Sequence, residues 1–250
     1  MAAGTRAILS LVAVILLAGG IVMQFFIVLS GLGTSPENKV FFLQSTTDGF
    51  NGQFHGGDVP NPVRWTWLAI CGVDGSNNAN CGPKGAAIPF DPRRNFGNDM
   101  LLGGNSYYYL SRVSWSFYII ALFFSVVAFL ISVAAIVARL GAYLTGFFAF
   151  LAMASQAVAA ALMTAWTVRG RNALNKSGQT ASLGKYAYGF TWASFACFFI
   201  AMVLFCVGGG VGKDKSSSSK SYFGRKRSTR SRGSFVENGG TSTRVKDEYE

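Results

Sequence analysis

Histidine is nearly missing from this chain, with His55 the only one in 250 residues. Two loop cysteines, Cys71 and Cys81, and one imidazole do not make a four-ligand metal site, and no Ser–His–Asp or Cys–His constellation is legible. Acidic residues are also scarce, 11 against 22 Lys and Arg. The stretch "GGGVGKDKS" superficially resembles a phosphate loop. It fails because Asp214, not Ser or Thr, follows Lys213, and no strand precedes it. An enzyme is not expected, nor a cofactor or a resident metal. The most telling absence is of charge along four long stretches, Ala7–Leu29, Val113–Ala138, Gly141–Val168 and Tyr186–Val207, which hold no Asp, Glu, Lys, Arg or His.

What fills those stretches is apolar. Each exceeds the roughly 20 residues that cross about 30 Å of hydrocarbon. One charge at a helix centre costs roughly 2.5–3.5 kcal/mol on insertion scales, so charge-free runs of this length define the class. The expected fold is an all-α membrane protein: a four-transmembrane-helix bundle over 1–207, with a loop over 30–112 and a disordered basic tail over 208–250. The first run continues to Leu29, beyond the roughly 7–15 apolar residues of a cleaved signal, and reads as a retained span. Gln24 and Gln156 are the most polar side chains of the spans and can hydrogen-bond between helices. Ionisable residues that would mark an ion pathway are missing from the spans.

Ten Lys and Arg follow Val207, eight of them between Lys213 and Arg232. The positive-inside rule places both termini in the cytosol and the 30–112 loop outside, although four basic residues in the Arg169–Lys185 loop pull the other way. On the oxidising side, Cys71 and Cys81 can close a short loop through the turn-forming "GVDGSNNAN". Arg64–Cys71, rich in aromatic and β-branched residues, suits a strand, and a small disulfide-stapled β-structure is expected on the helix ends. The bridge either merely stabilises the loop or shapes it for a partner. The motif residues in this loop are Arg64, Trp65 and Trp67. Pro and Gly interrupt the rest, so no long helix is expected there. Tyr and Trp residues in Ser106–Tyr118 suit the interfacial belt.

"ARLGA" is short enough to force spans two and three into an antiparallel hairpin. Ala157, Ala161 and Ala165 recur every four positions and let another helix approach, within the monomer or in a homo-oligomer. Asn175-Lys176-Ser177 matches a glycosylation acceptor but lies so close to the spans that poor use is expected. Cys206, near the inner interface, is a candidate for palmitoylation, although most buried cysteines are simply small apolar residues. The tail cluster, Lys213, Lys215, Lys220, Arg225, Lys226, Arg227, Arg230 and Arg232, suits anionic inner-leaflet lipids such as phosphoinositides and phosphatidylserine, at about 1 kcal/mol per residue. Phosphorylation at Ser228 would add negative charge and release it. Lipid, rather than nucleic acid, is the expected partner of the basic excess.

This layout resembles the fungal eisosomal tetraspan proteins of the Sur-seven/PalI family, within the wider claudin-like fold. The landmarks are "VFFLQSTTDGF" (Val40–Phe50), "RWTWLAIC" (Arg64–Cys71), Cys81 and "AIPFDP" (Ala87–Pro92). One departure is Ala69, where the family usually has Gly two residues before the first cysteine. The Gly-Leu-Trp element of claudins is missing, so barrier function does not carry over. The resemblance implies a structural organiser of furrow-like plasma-membrane domains. Its implied partners are eisosome scaffold proteins, sterol and sphingolipid, with effects on endocytosis and cell-wall integrity. The alternatives are a PalI-type sensor subunit and a channel or transporter.

Overall fold

The structure, a computed structural model, describes residues 2–49, 52–54, 57–97, 104–137 and 139–210. Its helices are α1 (Ala2–Val28), the short α2 (Pro92–Phe96), α3 (Asn105–Val137), α4 (Arg139–Lys176) and α5 (Lys185–Gly210). The four long ones are each long and apolar enough to cross a membrane. In hydrocarbon every backbone N–H and C=O must be satisfied within the segment, which favours helix for an uncharged run. All six prolines lie between Pro36 and Pro92, so none interrupts a span.

Helices α3 and α4 form the expected antiparallel hairpin. Ser114 Oγ donates to the Ala159 carbonyl (3.1 Å), and Phe124 packs near Phe148 with ring centroids 6.3 Å apart. Both helices exceed their expected spans, α3 starting at Asn105 rather than Val113 and α4 ending at Lys176 rather than Val168. Roughly 20 helical residues cross about 30 Å of hydrocarbon, so helices of 33 and 38 residues are longer than one crossing needs. The ends of the two helices away from the hairpin turn carry a cap.

That cap is a five-stranded antiparallel sheet in the order β6–β5–β4–β1–β7. Its strands are β1 (Leu43–Ser45), β4 (Val63–Trp65), β5 (Ile70–Asp74), β6 (Asn77–Ala79) and β7 (Ala181–Leu183). Between β1 and β4, β2 (Gln53–Phe54) and β3 (Gly57–Asp58) form a separate two-stranded ribbon. Strand β7 comes from the second loop, so both loops build one sheet.

The single strand expected over Arg64–Cys71 is instead a tight hairpin. Thr66 breaks it: its hydroxyl donates to the Ala69 carbonyl (2.6 Å) and accepts from the Ala69 N–H (3.2 Å). Thr66 N–H also bonds the Ala69 carbonyl at 3.2 Å. The end of α1 presses on this turn at Gly31, whose φ is +100°. A Cβ there would stand 2.3 Å from Thr66 Oγ1, so the approach requires glycine. Ala69 is fully buried and is not among the residues with left-handed backbone, so the turn does not require glycine there.

Candidate functional site

Strand alternation divides the cap into two faces. Leu183, Leu43, Trp65 and Ile70 form one cross-strand row. This row joins the core cluster that includes Phe42, Phe90, Tyr118, Met163 and Trp166. The alternate row is Ser182, Gln44, Arg64 and Cys71. Cys71 is disulfide-bonded to Cys81, as the spacing predicts, and the bridge staples the β5–β6 hairpin.

Arg64, Trp65 and Trp67 are all buried, with 6%, 2% and 1% exposure, so this motif is framework rather than surface. Trp65 meets Phe90 edge-on at 5.0 Å, and Phe90 stacks on Trp166 of α4 at 5.2 Å. Trp67 lies 5.9 Å from both Trp166 and Tyr118, which fastens the hairpin turn to α3 and α4. Pairs of this kind contribute about 0.5–1.5 kcal/mol beyond area burial.

Arg64 is a buried cation held by neutral groups. Its Nε donates to Gln44 Oε1 (2.8 Å), and one terminal nitrogen donates to the Ser76 carbonyl (3.1 Å) and Asn78 Oδ1 (3.2 Å). Its guanidinium lies 4.2 Å from the Phe41 ring centroid. Among the described residues the one ion pair is Arg94–Asp91, so no carboxylate faces Arg64 there. Burial accordingly lowers its pKa from the ordinary arginine value. Asn78 completes the tie by donating to the Val40 carbonyl at 3.0 Å.

Beneath the cap a polar clasp joins all four long helices. Gln24 Nε2 of α1 donates to Gln156 Oε1 of α4 (2.8 Å) and to the Tyr118 carbonyl of α3 (3.3 Å). Gln156 Nε2 donates to Ser194 Oγ (2.8 Å) and the Thr191 carbonyl (3.1 Å) of α5. Tyr118 and Thr191 share a hydroxyl–hydroxyl bond of 2.8 Å, and Ser125 Oγ donates to Gln24 Oε1 at 3.5 Å. All six side chains are fully buried. The sequence marks the two glutamines; their Ser, Thr and Tyr partners carry no signal until the helices are aligned.

Ala157, Ala161 and Ala165 do not form the buried stripe of α4. Ala161 is exposed and the other two are half-buried, whereas Ala149, Ala152, Ala159 and Ala160 are fully buried. Packing inside the monomer therefore uses the opposite face of α4. Cys206 is exposed and Cys197 partly buried on α5. The cluster Lys213, Lys215, Lys220, Arg225, Lys226, Arg227, Arg230 and Arg232, together with Ser228, lies outside the described residues, as does His55. Among the described residues, no three His, Cys, Asp or Glu side chains converge as a metal site would require. Among the described residues, the large apolar side chains exposed to the surroundings all lie on the four long helices. The described surface of the cap thus suits a polar, hydrated partner.

A four-span bundle clasped by buried amides and roofed by a disulfide-stapled sheet defines the class, a polytopic membrane protein with a rigid cap on one end. The SUR7/PalI family model matches residues 9–204, and the chain belongs to that family. It is 35% identical over 194 residues to the SUR7 family protein FMP45 of Saccharomyces cerevisiae, covering 74% of this chain and 61% of that protein. It is 32% identical over 199 residues to Protein SUR7 of Candida albicans, covering 77% of this chain and 71% of that one. A third relative, 31% identical over 188 residues, is a Saccharomyces cerevisiae plasma membrane protein, YNL194C, with coverage of 71% and 60%. The chain thus spans about three fifths of the length of FMP45 and YNL194C. The matched region takes in the cap, and the basic tail lies beyond it.

Proposed function

We propose that the protein is a structural organiser of eisosome-type plasma-membrane domains, with its cap outside the cell and both termini in the cytosol. The observation that carries this reading is the union of cap and spans in one packed body through Trp67, Trp166 and Tyr118. Such a body presents a fixed polar roof to the cell wall and a fixed apolar contour to lipid. That suits lateral ordering of sterol, sphingolipid and neighbouring proteins better than turnover of a substrate. Membership of the SUR7/PalI family, and a relative described as a plasma membrane protein, support the location.

The tail supplies the inner contact in this reading. Eight Lys and Arg between Lys213 and Arg232 give an upper bound of roughly 8 kcal/mol toward anionic lipid, reduced by Asp214, distance and salt screening. Scaffold proteins on the same leaflet are the proposed protein partners, and lateral order is the route to effects on endocytosis and wall integrity. Fluorescence imaging of the tagged protein in its own cell tests the reading: static cortical patches are expected, and diffuse or endosomal signal would overturn it. The family's name also covers a PalI branch, which makes a sensor subunit the second reading. On that reading, deleting 208–250 abolishes signalling while leaving localisation intact.

A further inference from the structure

We propose that Asn175 is an N-glycosylation site whose glycan stands at the open edge of the cap sheet; this rests on the orientation proposed above. Asn175-Lys176-Ser177 is the single Asn-X-Ser/Thr triplet in the chain. Its distance along the sequence from span three argues against use, but the structure removes that objection. Helix α4 runs without a break to Lys176. If roughly 20 residues from Arg139 cross the hydrocarbon, about 16 more lead to Asn175, and at about 1.5 Å each they lift it about 24 Å clear of the apolar layer. On that count the acceptor stands on a helix projecting from the bilayer rather than in a loop at its surface.

The local geometry leaves the reactive atom available. Asn175, Lys176 and Ser177 are all exposed. Asn175 Oδ1 accepts the Ala181 N–H at 2.8 Å, which fixes the amide orientation, and Nδ2 makes no hydrogen bond among the described residues. A glycan on Nδ2 therefore costs the fold no contact. Ala181 opens β7, which among the described residues pairs with β1 alone; on its other edge Asn175 takes the Ala181 N–H and no strand pairs beyond it. Open edges template unwanted strand pairing, and a bulky hydrated group at the start of β7 blocks that approach.

The transfer balances without redox change. Asn175 Nδ2 attacks the anomeric carbon of a polyprenyl-diphosphate-linked oligosaccharide. The new C–N bond replaces the C–O bond to the diphosphate, which leaves with its electron pair, while Nδ2 gives up one proton to the transferase. Donor and transferase belong to the secretory membrane through which the protein passes.

The test uses the full-length tagged chain expressed in Saccharomyces cerevisiae and resolved by electrophoresis with and without endoglycosidase H. Unmodified sequence is expected to run as a slower band that the enzyme collapses. Ser177→Ala, which keeps Asn175 and its Ala181 contact, is expected to run at the collapsed position, and Ser177→Thr to keep the shift. Lys84→Asn with Ala86→Thr, placed in the Ser177→Ala background, creates an acceptor at exposed cap positions and reads the orientation independently. A shift in that control with none in the unmodified sequence overturns the glycan at Asn175 and spares the orientation. No shift in either overturns both.

Discussion

Arg64 stands directly across the β4–β5 ladder from Cys71, so a buried cation and the disulfide share one cross-strand row. The arginine reaches back to Gln44 of β1, which the disulfide does not touch, and forward to Asn78 of β6, whose hairpin it does staple. Four of the five strands are thus held by one guanidinium and one covalent bond. This explains why a loop beside apolar spans keeps a charged residue inside.

Replacing Arg64 tests that role. Arg64→Ala strands Asn78 Oδ1 in a buried setting and Gln44 Oε1 in a half-buried one, and a buried unsatisfied polar group costs about 1–3 kcal/mol. A fall of several degrees in the thermal midpoint of the detergent-purified protein is expected. Arg64→Lys should recover only part of it, because one ammonium cannot reproduce the planar fork. Full recovery by lysine would show that charge, not geometry, matters.

Breaking the staple should loosen one side of the cap only. With ten residues of separation, the closed loop contributes roughly 3 kcal/mol by restricting the unfolded chain. Cys71→Ser with Cys81→Ser is expected to lower stability by about that amount and to raise hydrogen exchange in β5 and β6 before β1 and β7. In unmodified protein, maleimide should label Cys71 and Cys81 only after reduction. Labelling without reductant would contradict the bond.

The spans and the disulfide were legible because each rests on a local rule: uncharged runs of membrane length, and paired cysteines flanking turn formers. The hairpin within Arg64–Cys71 was not, because composition marks strand preference but not the turn. That turn depends on Thr66 and on Gly31 at the end of a distant helix. Strand β7 is three residues of weak β preference that form only against β1. The alanine stripe misleads for a geometric reason. At about 100° per residue, Ala157, Ala161 and Ala165 stay within about 80° of one another, but their shared stripe lies on the side of α4 opposite the buried residues, and spacing alone does not say which side faces inward. The buried side of α4 alternates threes and fours through Ala149, Ala152, Gln156, Ala159 and Met163.

The join between β7 and α5 should tolerate no side chain. A Cβ on Gly184 would lie 1.6 Å from the Phe41 carbonyl oxygen, a backbone atom that cannot rotate away, and Gly184 N–H bonds the Phe42 carbonyl at 3.0 Å. Gly184→Ala is expected to cost several kcal/mol through backbone displacement, at least the roughly 1–3 kcal/mol typical of overpacking. Gly189→Ala is the control, since nothing lies within 4 Å of its Cβ position. Surface yield and thermal midpoint of the two variants, measured side by side, should separate clearly. Equal values would mean that the β7 join gives way more easily than its contacts imply.

The clasp makes the sharpest demand, because its two glutamines should be worse alone than absent together. Gln156→Leu removes the partner of Gln24 Nε2 and leaves that amide with only the longer bond to the Tyr118 carbonyl. Interhelical hydrogen bonds in membranes average about 0.6 kcal/mol and reach about 1.7. A stranded amide adds its own desolvation cost on top. Gln24→Leu strands the other side in the same way. The double replacement leaves neither amide unpaired, and the Thr191 and Tyr118 carbonyls keep their helical bonds. A double-mutant cycle on denaturant unfolding in micelles should therefore give a coupling of about 1 kcal/mol or more, with the double variant recovering much of the single losses. Strictly additive losses would mean that each glutamine acts through its own helix contacts and that the Gln24–Gln156 bond does not organise the bundle.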